Sequence, residues 1–137
     1  MKIRLRDGLP LVAVTLQYHS QQIELEDVLL DTGSASSVFS ADRLLAIDLK
    51  YEPDDPVHRI RGVGGSEFVF SKRVDRLTVD DMALNGLPVE IGAMAYGFLL
   101  DGILGLDFLV PVGAVIDLDR MEVMASVSPA SQESNPT

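Results

Sequence analysis

The chain has 137 residues, 47% of them hydrophobic and 23% charged, a length for one domain around one core and a composition that folds. Its 21 Asp and Glu against 11 Lys and Arg leave a net charge of −10, a sign that repels a phosphate backbone and argues against nucleic acid as a partner. The absence of Cys removes disulfides, thiolate nucleophiles and Cys-built zinc sites, and two His are too few for a three-His metal centre, so neither metal nor cofactor is expected.

Lys2, Arg4 and Arg6 ahead of apolar residues 9–16 imitate a signal peptide, but Arg6-Asp7-Gly8 interrupts the pattern and Gln17-Tyr18-His19-Ser20 is no small-residue cleavage site. No run reaches the roughly 18 apolar residues of a membrane helix. The expectation is a soluble, cytoplasmic protein with no membrane partner. Residues 10–18 alternate and are rich in β-branched side chains, 19–22 are polar, and 23–30 resume an apolar pattern, which predicts a β-hairpin that delivers Asp31. A short helix should follow, with Ser40 as N-cap, Asp42 in its first turn and Leu44 and Leu45 on its buried side. Pro53 and Pro56 around Asp54-Asp55 forbid regular structure. Residues 58–63 and 66–70 flank Gly64-Gly65 and predict a second hairpin; 76–84 and 87–91, joined by Asn85-Gly86, predict a third. Ile103-Leu104 reads as a short buried strand, 106–110 as one helical turn, and 114–125 as a last hairpin turning near Asp119-Arg120. The domain is expected over 1–125, with a flexible polar tail over 126–137. The fold class is all-β and barrel-like, with one or two short helices.

Asp31-Thr32-Gly33-Ser34 sets a carboxylate directly after an apolar strand, at a turn whose Gly accepts backbone conformations other residues do not. Alone, this is an ordinary Asp-initiated turn. Two further features follow it in order: the glycine-tipped hairpin about thirty residues on, and Asp101-Gly102-Ile103-Leu104-Gly105 with an apolar turn behind it. That order resembles the aspartic proteases, specifically the single-domain retropepsin-like branch, over residues 10–123. The resemblance implies a closed acid-protease barrel active as a C2 homodimer and cutting extended polypeptide. It makes Asp31 catalytic, Gly62-Val63-Gly64-Gly65 the tip of a substrate-covering flap, and Ile103-Leu104-Gly105 the element packed beneath the catalytic loop. No Tyr lies between His58 and Phe70, unlike the flap of two-lobed pepsin-like enzymes, so the flap resembles the retropepsin type.

The chemistry needs two carboxylates about 3 Å apart sharing one proton, one acting as base on water and the other as acid toward the carbonyl. This chain supplies one Asp-Thr-Gly, and a two-fold axis can set Asp31 against its own copy. By resemblance, the two Thr32 side chains bond across the interface and Gly33 lets the backbone donate to the carboxylates. Ser34, with a hydroxyl near the carboxylate, favours its ionised form and an acidic optimum. Gly62, Gly64 and Gly65 lack the helix start and Lys of a phosphate loop. Asp101 lacks the Thr of a second catalytic motif and reads as a turn residue. Asp54-Asp55 and Asp80-Asp81 read as solvated turns, His19 and His58 as surface residues, and Met82, Met94, Met121 and Met124 as packing. The function expected is aspartic endopeptidase; the alternative is a dimerisation or peptide-binding module with little or no turnover.

Overall fold

Two tight turns in left-handed backbone begin the chain in the computed structural model, which describes residues 1–62, 65–94 and 99–126. Asp7 and Gly8, with φ of 53° and 78°, fold Arg4–Arg6 (β1) back onto Leu9–Tyr18 (β2). His19 and Ser20, at 48° and 70°, then fold β2 onto Gln21–Leu30 (β3), pairing Tyr18 with Gln21. The expected four-residue loop is thus a two-residue turn of the kind whose twist matches the strands it joins. β1 is an element the sequence reading did not assign.

Val38–Ser40 (β4) runs into a one-turn helix, Ala41–Leu44 (α1), and a 3-10 turn, Leu45–Ile47. Ser40 caps α1 as expected, its hydroxyl accepting from the Arg43 N–H, and Leu44 is buried. Leu45 is 58% exposed, because a single turn offers the core a stripe one residue wide. Val57–Gly62 (β5) and Gly65–Arg73 (β6) form the second hairpin, in register from Val57 opposite Phe70 to Gly62 opposite Gly65. Val63 and Gly64, between them, lie outside the described residues, as does the expected tail beyond Ser126.

The third hairpin differs from expectation. Arg76–Val79 (β7) pairs with Met82–Asn85 (β8) around Asp80-Asp81, with Asp80 at a φ of 56°, so residues 76–84 are two strands. Gly86, at 68°, still turns the chain, but it sends Pro88–Gly92 (β9) away to lie between β6 and β4. An Asn-Gly pair specifies a turn; which strand the chain meets afterwards is set by the burial of Val89 and Ile91 in the main core. Gly102–Leu104 (β10), a helical turn at Leu106–Leu109 (α2) and the hairpin Ala114–Asp117 (β11) with Glu122–Ala125 (β12) complete the chain as expected.

Strands β1 to β10 form one sheet in the order β5-β6-β9-β4-β10-β3-β2-β7-β8, with β1 on β2, and β11-β12 form a second. The fold is mostly β, as expected, but the sheet is not closed into a barrel. Closure needs its two end strands to pair with a consistent stagger, and among the described residues each end is the outer strand of a local hairpin: β5 pairs only with β6, and β8 only with β7. The main core fills one side with Val12, Val14, Leu16, Leu25, Phe39, Leu104 and Phe108 among others. A smaller cluster of Leu11, Val38, Met94 and Leu100 lies apart from it, with Leu29, Ile60 and Ile103 packed on it. No helix among the described residues is long and apolar enough to cross a membrane.

Candidate active site

A one-residue irregularity in β3 decides where Asp31 points. Between the pairs Val12 with Val28 and Val14 with Leu25, two steps along β2 match three along β3, so β3 carries an extra residue near Glu26 and Asp27. Strict alternation would send 25, 27, 29 and 31 to one face. The bulge instead turns Leu25, Val28 and Leu30 into the main core and Leu29 toward the small cluster, and Asp31 continues the side of Leu29. Asp101 holds the bulge: its backbone N–H donates to the Asp27 carbonyl at 2.8 Å and its Oδ2 accepts the Asp27 N–H at 3.2 Å. Arg43 lies 3.6 Å from the other oxygen of Asp101, while Arg4 and Arg6 each lie 3.2 Å from the Asp27 carboxylate. Asp101 is the turn residue expected, with this bracing role besides.

The parallel pairing of β3 with β10 runs on into the loop, where the Asp31 N–H donates to the Leu104 carbonyl at 3.0 Å. The Gly33 N–H donates to Asp31 Oδ1 at 2.9 Å, the backbone contact the resemblance implied, and the Ser34 N–H closes the turn on the Asp31 carbonyl at 3.2 Å. Asp31 is half-buried, whereas Thr32 and Gly33 are exposed. Ser34 behaves otherwise than expected. Its hydroxyl donates to the Ser36 carbonyl at 2.7 Å, which occupies its one proton within the turn and away from the carboxylate.

Beneath the loop the backbone packs without room for a side chain. A Cβ on Gly105 would stand 2.7 Å from the carbonyl oxygens of Ser34 and Ser36, and the next residue, Leu106, donates its N–H to Ser34 at 2.8 Å. Leu104 and Gly105 thus meet the loop backbone, while Ile103 pairs with Leu29 and Val38 one step before it. Two residues the sequence reading missed lock this contact. Buried Ser37 donates its hydroxyl to Asp107 Oδ1 at 2.7 Å and its N–H to Oδ2 at 2.9 Å, while accepting the Gly105 N–H at 3.0 Å. The signal for it was Asp107, the single charge in the apolar turn over 106–110. Gly62 and Gly65 close the described part of the β5–β6 hairpin, and among the described residues no cluster of acidic and His side chains could hold a metal ion.

The arrangement is a carboxylate held by backbone at an exposed turn, a hairpin joined to the same sheet, and an apolar-apolar-Gly strand locked below. The sequence matches the family model described as Aspartyl protease over residues 14–108, from within β2 to within α2, the span holding all three. The chain belongs to the aspartyl protease family. No curated protein matches the sequence.

Proposed function

We propose that this aspartyl protease is an endopeptidase that hydrolyses extended polypeptide with Asp31 of one copy and Asp31 of a second copy as its catalytic pair. The observation that carries the reading is the Asp31 turn itself, a carboxylate oriented by the Gly33 N–H at a loop whose tip, Thr32 and Gly33, is exposed in the single chain. One such loop per chain leaves the second carboxylate to a copy related by two-fold symmetry.

Two carboxylates at that spacing share a proton, since two like charges so close cannot both ionise. The ionised one takes a proton from water as the oxygen attacks the scissile carbonyl carbon, and the protonated one gives its proton to the carbonyl oxygen. The tetrahedral diol then collapses: a diol hydroxyl returns its proton to the carboxylate that had given one, the C–N bond breaks, and the amine leaves with the proton the other carboxylate had taken from the water. The β5–β6 hairpin, with glycine on both sides of its tip, suits a peptide main chain lying close beneath it.

Asp31→Asn tests this by keeping shape and removing the titrating group. Cleavage of an unfolded protein substrate should fall at least about a hundredfold, the scale of losing an acid–base group, with the thermal unfolding profile unchanged. Cleavage within about tenfold of wild type sinks the assignment. A folded wild type that binds a hydroxyl-bearing peptide mimic but cleaves nothing favours the binding module instead.

A further inference from the structure

We propose that Glu90 is a positioning residue that sets how the β5–β6 hairpin stands on the part of the sheet carrying Asp31, an inference that rests on reading that hairpin as the substrate-covering arm of a peptidase. Glu90 lies in β9 between Val89 and Ile91, a charged residue in the interior of the ten-stranded sheet with a side chain only 15% exposed. Each of its carboxylate oxygens serves a different strand of the hairpin. Oε2 accepts the Ser71 hydroxyl of β6 at 2.9 Å, and Oε1 lies 2.9 Å from His58 Nε2 of β5.

The second of these contacts reaches past β6. In the strand order β5-β6-β9-β4, β5 has ladder bonds among the described residues to β6 alone, so the His58 contact ties the outer strand directly to the sheet beyond its hairpin partner. The registers make this geometry available: Ser71 stands opposite Glu90, and His58 opposite Val69, two residues back on β6 and so on the same face. The backbone of Glu90 faces the other way along the sheet. Its N–H donates to the Ser37 carbonyl at 3.0 Å, and it pairs with Val38 of β4. Ser37 ends the Asp31 loop and is the residue locked to Asp107 and Gly105. One residue thus joins both hairpin strands, through its side chain, to the base of the catalytic loop, through its main chain.

The experiment uses the full chain with Glu90→Ala, Glu90→Gln and His58→Ala, read by amide hydrogen exchange and by peptide cleavage. Glu90→Ala should raise exchange at least about tenfold in residues 57–62 and 65–73 while leaving β2 and β3 as they were. It should also raise KM severalfold, about 3–30-fold, with kcat within about threefold, because the hairpin meets substrate before chemistry. Glu90→Gln retains an acceptor for Ser71 and should fall between wild type and Ala. His58→Ala, a change at a side chain 44% exposed, keeps the test open should Glu90→Ala fail to fold, and should loosen the β5 amides before those of β6. Unchanged exchange in the hairpin, or a rise spread evenly over the whole sheet, overturns the proposal. If wild type cleaves nothing, the peptidase reading fails while the exchange measurements still decide the role of Glu90 in the hairpin.

Discussion

A methyl group on Gly105 would meet two carbonyl oxygens, of Ser34 and Ser36, that are backbone and have no rotamer to change. Gly105→Ala must therefore displace the Asp31 loop, at a stability cost of about 1–3 kcal/mol as for other overpacked sites. Turnover should fall further than the folded fraction does, which parallel urea unfolding and activity measurements will show; equal losses would mean the loop had stayed in place. Lys72 is a different case of a residue set by its surroundings. Its side chain is 7% exposed, with the ammonium against Glu52 and 3.0 Å from Asp55. Burial alone works against the charged form, but the hydrogen bonds to Glu52 and Asp55 and the negative charge of Asp55 outweigh it and hold the group above its ordinary lysine value. A raised value stabilises the fold fully below the ordinary 10.5 and loses that contribution as pH climbs beyond it, at no more than about 1.4 kcal/mol per pH unit. Lys72→Met should cost about 1–3 kcal/mol at neutral pH by leaving the Asp55 carboxylate without its cation, held by the Glu52 N–H. The gap between the two proteins, followed by urea unfolding, should stay level from neutral to mildly alkaline pH and narrow only above the ordinary lysine range; narrowing near neutrality would contradict the assignment.

Among the elements, the bulged strand β3 carries the most consequence, because an extra residue moves every later side chain to the opposite face. Asp101→Ala removes the acceptor of the Asp27 N–H and the partner of Arg43, and should cost about 1–2 kcal/mol with a drop in turnover. Asp101→Asn keeps an oxygen acceptor and should lose less of both. If Ala and Asn were indistinguishable from wild type in unfolding and in kcat, the bulge would be held by the β2 and β10 ladders alone. The exposed pairs of Arg4 and Arg6 with Asp27 add little at this scale.

For the whole molecule, the proposed catalytic pair makes activity depend on assembly. Specific activity should fall on dilution, as each site needs two chains. Each copy carries a net charge of −10, so two copies repel at long range and added salt should shift the midpoint of that fall to lower protein concentration. Light scattering alongside the assay separates dissociation from surface loss. A specific activity constant down to nanomolar protein, with a monomer mass throughout, rejects the homodimer.

The sequence by itself determined the local units. The Gly86 turn, the Ser40 cap, the proline-bounded stretch near Asp54 and the short apolar runs act within a few residues of chain, and they stand where composition and alternation put them. The Asp-Thr-Gly turn and its glycine-ended support were legible for the same reason: backbone demands at Gly33 and Gly105 leave a mark on residue type. Only the tertiary structure decided which strands meet. Asn85-Gly86 ends β8 but says nothing of β9 crossing to β4, the β3 bulge is invisible without the partner that counts its register, and the Ser34 hydroxyl chose the Ser36 carbonyl over Asp31. The long-range roles of Ser37, Asp107, Asp101 and Glu90 were hidden likewise, since each acts through contacts from 19 to 74 residues away in sequence, distances over which pairing is settled by the burial of whole faces rather than by any neighbouring residue.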